Sequence, residues 1–154
     1  MSSTIEAKIA ELGHTLPVVP APIAAYVPAV VTGNLVFTSG QLPTVEGKLL
    51  AEGLVGRDVD IETAKACAQQ SGLNALAAVK SVIGDLDRVV RIVKVTGFIA
   101  CPSDFTQHSA VVNGASELFG EIFGDVAKHA RSSVGMAALP LGAPVEIEVV
   151  VEFR

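Results

Sequence analysis

The sequence predicts an α+β protein, a mixed β-sheet with two long helices packed on one face. Three observations predict it. Two stretches, Asp60 to Ile83 and Gln107 to Phe123, carry apolar residues at helical spacing. Short β-rich runs lie before, between and after them. The chain has 154 residues, half of them apolar, which is enough for one domain with a real core. Two amphipathic helices covering one face of a sheet is a stable layered arrangement.

Taken in order, Thr4 to Leu12 reads as a short helix, with Thr4 as cap and Ile5, Ile9 and Leu12 on one face. Gly13 ends it. Pro17, Pro20 and Pro22 force an extended segment from Leu16 to Pro22. Tyr26 to Val31 and Leu35 to Ser39 are β runs joined by a turn signal, Thr32-Gly33-Asn34. Val45 to Lys48 is another turn, and Leu49 to Val55 is a third strand or an irregular loop. Asp60 caps the first long helix, whose buried stripe is Ala64, Ala68, Ala75, Leu76, Val79 and Val82. Gly72 is its weak point and Gly84 its end, and Cys67 belongs to its core side. Val89 to Ile99 is the longest strand candidate. A loop, Ala100 to Gln107, follows it, with His108 read as a solvated loop residue. The second long helix buries Val111, Ala115, Leu118, Phe119 and Ile122 and leaves Asn113 off the stripe.

The last stretch reads as two strands around a Pro/Gly turn, with Arg131 at the mouth of the first and Glu146 in the second. A planar guanidinium binds both oxygens of a small carboxylate, and a glutamate on a neighbouring strand can hold or activate water. On spacing alone the simpler reading is a hairpin with a surface Arg–Glu pair, worth little to stability. The apolar content of Val89 to Val95 and Val145 to Val151 exceeds what a wetted sheet face needs, so oligomerisation is expected.

Arg131-Ser132-Ser133-Val134, then Ala137, Leu139-Pro140 and Val145-Glu146-Ile147-Glu148, resembles the signature of the RidA (YjgF-type) family of reactive imine and enamine deaminases. Tyr26-Val27-Pro28, Gly33 to Pro43 and Asn113 agree in order. The resemblance covers Pro22 to the end, dividing the chain into an N-terminal arm, residues 1–20, and a RidA-like domain, residues 21–154. It implies a chorismate-mutase-like subunit, a homotrimer, and a cleft between subunits. There a 2-imino or enamino acid is hydrolysed to a 2-oxo acid and ammonia, with no metal or cofactor. It also implies the site. Arg131 grips the carboxylate, Glu146 holds or activates water, and Tyr26, Ser39, Gly40, Asn113 and Ser133 line the cleft. Many family members carry Cys where this chain has Ser133, and the Ala100 to Gln107 loop is about three residues longer than usual. His129, two residues before Arg131, stays outside the catalytic set, because a His beside a strand is more often structural.

The net charge of −5, the absence of Trp and a single Tyr argue against a nucleic-acid surface, and so against RNA cleavage. A trimeric binding protein for small carboxylates remains the alternative to an enzyme. Cys67 and Cys101 form no metal motif and are expected to be reduced thiols. No signal segment is recognisable at the start of the sequence, and a cytoplasmic protein is expected.

Overall fold

The computed structural model describes residues 3–19, 21 and 25–154. Pro20 and Pro22 lie outside them, as does the start of the resemblance; the described part of the Pro-rich segment contains no helix.

Helix α1 spans Thr4–Glu11, and its cap is Ser3 rather than Thr4. The cap is completed from far along the chain. Ser3 Oγ and the backbone N–H groups of Thr4 and Ile5 all donate to the Asp87 carboxylate, each at 2.8 Å. A carboxylate at a helix N-terminus satisfies unpaired N–H groups and favours the helix dipole. Ile9 is thereby held in the core.

Strands β1 (Ala29–Thr32) and β2 (Leu35–Thr38) form the expected hairpin, with Gly33 at φ +57 in its turn. Tyr26 to Pro28 precede β1 instead of belonging to it. β3 (Thr44–Val45) and β4 (Lys48–Leu49) make a separate two-stranded ribbon, and the Leu49 to Val55 stretch is otherwise irregular.

Helix α2 runs Ile61–Ile83. Asp60 accepts a hydrogen bond from the Thr63 N–H at 2.7 Å, and Gly84 closes the helix at φ +85. Helix α3 runs His108–Phe123 and crosses α2 at glycines. A Cβ on Gly72 would lie 3.4 Å from Leu118 and Phe119, and one on Gly114 would run into the Lys65 carbonyl group. Gly114 is thus where close approach requires glycine, whereas a Cβ on Gly72 would meet only ordinary contacts, so Gly72 stays the weak point of α2. Val82 does not join the buried stripe; it is 40% exposed near the end of α2.

Strands β5 (Val89–Ala100), β6 (Ala130–Met136) and β7 (Val145–Phe153) complete a five-stranded sheet in the order β1-β2-β7-β5-β6. β6 and β7 are not a hairpin. β5 lies between them, antiparallel to β7 and parallel to β6. A parallel pair needs a crossover, and α3 supplies it. In β7, Val145, Ile147, Val149 and Val151 are buried, and Glu146, Glu148, Val150 and Glu152 alternate with them on the other face. The apolar surplus expected on the helix-free face is therefore not in β7. It comes from Val30, Phe37 and Val134, which remain 54%, 44% and 41% exposed.

Candidate functional site

Arg131 and Glu146 lie on opposite faces of the sheet. Arg131 pairs with Val95 and Ser133 with Gly97, and a Cβ on Gly97 would strike Val112 of α3. Arg131 and Ser133 therefore face the helices. Glu146 pairs with Phe98, one residue on from Gly97, and faces away from them. Strands stand about 4.8 Å apart, so β6 and β7 are separated by about 10 Å in the sheet. The expected surface Arg–Glu pair does not form.

Around Arg131 the site is polar and ordered. Nη1 donates to Asn113 Oδ1 at 2.8 Å and to Ser116 Oγ at 3.1 Å. Asn113 and Ser116 lie three residues apart on α3 and so share a helix face. Ser116 Oγ also lies 2.9 Å from His129 Nε2, and His129 Nδ1 contacts the Ala127 carbonyl. A carbonyl only accepts, so Nδ1 carries the proton, Nε2 is the acceptor and the Ser116 hydroxyl donates to it. Burial, and then the Arg131 charge, hold His129 below its ordinary pKa. Among the described residues Arg131 Nε and Nη2 make no hydrogen bond, so that edge of the guanidinium is available to a carboxylate. Ser133 Oγ is buried and unpartnered.

Around Glu146 the determining contact is with Gly40. A Cβ there would lie 2.7 Å from Glu146 Cδ and 3.0 Å from Cγ. Only a glycine leaves that space to the carboxylate. The adjoining Gln41 exchanges both backbone hydrogen bonds with Ile147, which fixes this segment across β7. Ser39 Oγ donates to the Val27 carbonyl at 2.6 Å, and Ser39 N–H donates to that of Pro28 at 2.8 Å. Ser39 thus holds the Tyr26 segment in place, with Tyr26 itself 69% exposed. Glu146 is half-buried and forms no ion pair or hydrogen bond among the described residues. Burial, and then Glu148, push its carboxyl above the ordinary range. A desolvated carboxylate without a cation is a competent proton acceptor near neutral pH.

The residues expected at the site therefore fall into two separate groups on opposite faces of the sheet. Arg131, Asn113 and Ser133 form one, and Tyr26, Ser39, Gly40 and Glu146 the other. Ser116 joins the Arg131 group through its hydrogen bond to Nη1 and was missed by the sequence reading; its spacing from Asn113 was the available signal. His108 is not a solvated loop residue. It opens α3 half-buried, with Nε2 3.5 Å from Cys101 Sγ and its ring edge-on to Phe105. Burial pushes the Cys67 thiol up to about 11, in keeping with a core position. Among the described residues no cluster of three or more His, Cys, Asp or Glu is arranged to hold a metal. Among the described residues no helix is long and apolar enough to cross a membrane.

A mixed sheet with two helices on one face and a polar edge strand defines an α+β subunit of the chorismate-mutase-like type. The family model "YjgF/chorismate_mutase-like, putative endoribonuclease" matches residues 6–153, and the chain belongs to this YjgF/RidA family. Protein TCP17 of Trypanosoma cruzi is 38% identical over 154 residues, covering 99% of this chain and 96% of its own. The solved structure of Atu1372 from Agrobacterium tumefaciens, of unknown function, is 46% identical with a TM-score of 0.91, covering 97% of this chain and 93% of that one. The 2-iminobutanoate/2-iminopropanoate deaminase of Escherichia coli K12 is 32% identical over 133 residues, covering 85% of this chain and 89% of its own.

Proposed function

We propose that this protein hydrolyses small 2-imino and enamino acids to 2-oxo acids and ammonia, at a cleft that two subunits of a cytoplasmic homotrimer complete. The observation that carries this reading is Glu146, a half-buried carboxylate with a raised pKa, kept clear by Gly40 and unpaired in the protomer. Its separation from Arg131 across the sheet supports a shared site, in which the Arg131 half of one subunit meets the Glu146 half of its neighbour. The exposed Val30, Phe37 and Val134 on the helix-free face support the association. The likeness to a 2-imino acid deaminase supports the chemistry.

In this mechanism the Nε–Nη2 edge of Arg131 binds the substrate carboxylate and turns the imine carbon toward Glu146. Glu146 takes a proton from water as its oxygen attacks that carbon, giving a tetrahedral aminoalcohol. The proton passes from Glu146 to nitrogen. Glu146 then relays the hydroxyl proton to nitrogen, the C–N bond breaks, and ammonia leaves as the carbonyl forms. Asn113 holds the arginine, Tyr26 lines the mouth, and Ser133 shapes the wall.

The test is hydrolysis of imino acids made in place by an amino-acid oxidase, followed as 2-oxo acid and ammonia release above the spontaneous rate. Acceleration across part of the panel is expected. Saturable 2-oxo acid binding without acceleration would establish the binding-protein alternative instead.

A further inference from the structure

We propose that Ser116 and His129 are positioning residues for Arg131, forming a directed chain that turns Nη1 into the protein and presents the Nε–Nη2 edge to the substrate carboxylate. This rests on the proposed carboxylate site and concerns residues that do not touch substrate. The chain has one polarity. The Ala127 carbonyl accepts from His129 Nδ1, His129 Nε2 accepts from Ser116, and Ser116 accepts from Arg131 Nη1. Asn113 takes the other Nη1 hydrogen. With both Nη1 hydrogens committed, the guanidinium cannot turn about its stem without breaking two hydrogen bonds. Nε–H and one Nη2–H remain on the edge that matches a carboxylate. The edge-on ring of Phe119, 6.3 Å from that of His129, fixes the imidazole plane.

The arrangement couples carboxylate binding to His129. Arg131 opposes protonation of His129, and a bound carboxylate offsets that charge, so binding raises the pH at which His129 titrates. By reciprocity the carboxylate binds more tightly once His129 is protonated. Protonation keeps the geometry, because Ser116 Oγ can accept from both Nε2 and Nη1. Other charged groups near His129 are few. Asp125 and Lys128 on the preceding turn pair with each other at 3.2 Å in solvent, and α3 presents Ser116, Phe119 and Gly120. Across the proposed cleft stands the neighbouring subunit's Glu146, which also titrates upward.

The experiment therefore uses the full-length Glu146→Gln protein, which removes that second titration, with 2-oxobutanoate as probe. Affinity is measured from pH 5 to 8, and the His129 ring is followed by NMR with and without the probe. The expected results are an upward move of the His129 titration on saturation and about threefold or more tighter binding at pH 5 than at pH 8. Ser116→Ala, tolerated in a helix, should weaken binding at pH 5 and pH 8 alike, and Ser116→Thr should restore it. Saturable binding with an unmoved His129 would overturn the positioning chain and leave the carboxylate site standing. Absence of saturable binding by Glu146→Gln and wild-type protein alike would sink both.

Discussion

Replacing Gly40 with alanine tests the geometry of the water-activating carboxylate. Gly40 does not need a positive φ, so alanine brings no backbone strain. The added methyl would lie 2.7 Å from Glu146 Cδ and 3.0 Å from Cγ. Carbon atoms pack at about 3.5–4.0 Å, so the carboxylate must retreat by roughly 1 Å. It stands at the end of a flexible side chain, so it can move without disturbing the sheet. Stability should change by less than about 1 kcal/mol. A misplacement of about 1 Å at a reacting group costs on the order of 10²-fold in rate. Gly40→Ala should therefore fold, melt near the wild-type temperature, and lose about 10- to 100-fold in kcat for imine hydrolysis. Binding of 2-oxobutanoate should change much less, since Arg131 is untouched. A well-folded Gly40→Ala protein with wild-type kcat would refute the reasoning and remove the Gly40–Glu146 contact from the mechanism.

Three further outcomes follow from particular residues. Glu146→Gln should abolish turnover and keep 2-oxo acid binding. It should also raise the melting temperature at pH 8 but not at pH 4. A carboxyl with a raised folded pKa opposes folding once ionised, and the cost vanishes when it is protonated. Ser133→Cys should keep the fold, gain about 1 kcal/mol in denaturant unfolding by removing an unsatisfied buried hydroxyl, and change relative rates over the imino-acid panel. Asp87→Asn should lower the melting temperature at pH 7 by loosening α1, with the difference from wild type shrinking in acid. The Asp87 carboxyl is held below its ordinary range by the Ile5, Thr4 and Ser3 hydrogen bonds, so its contribution is present above that range and lost as pH falls through the folded value.

The parts of this fold legible in the sequence are those set by local chemistry. Asp60 and Gly84 bracket α2 because a cap and a left-handed stop act within a turn of chain. Gly33 places the β1–β2 turn for the same reason. The order of β5, β6 and β7 was hidden because pairing is non-local. The Pro140-Leu141-Gly142 turn resembles a hairpin connection, yet it carries the chain past β5. Val82 keeps the helical period and is still exposed, because periodicity reports a face and not how far the neighbouring layer extends. At the site, the resemblance supplied Arg131 and Glu146, but no spacing rule could place them on opposite faces of one sheet. Ser116 and His129 were obscured by their type: a helix serine and a loop histidine are usually solvated, and beyond the spacing of Ser116 from Asn113 only the hydrogen bonds that link them to Arg131 mark these two out.

The shared cleft is tested most directly by mixing two defective proteins. Arg131→Lys loses the planar edge that binds a carboxylate, and Glu146→Gln loses the base, so each alone should be nearly inactive. Trimers formed at random from equal amounts of the two are about three-quarters mixed, and each mixed trimer contains one cleft with both native residues. Imine hydrolysis should then recover to about one quarter of the wild-type rate. A rate no greater than the average of the two parents, with mixed trimers confirmed by native mass spectrometry, would contradict a site built from two subunits.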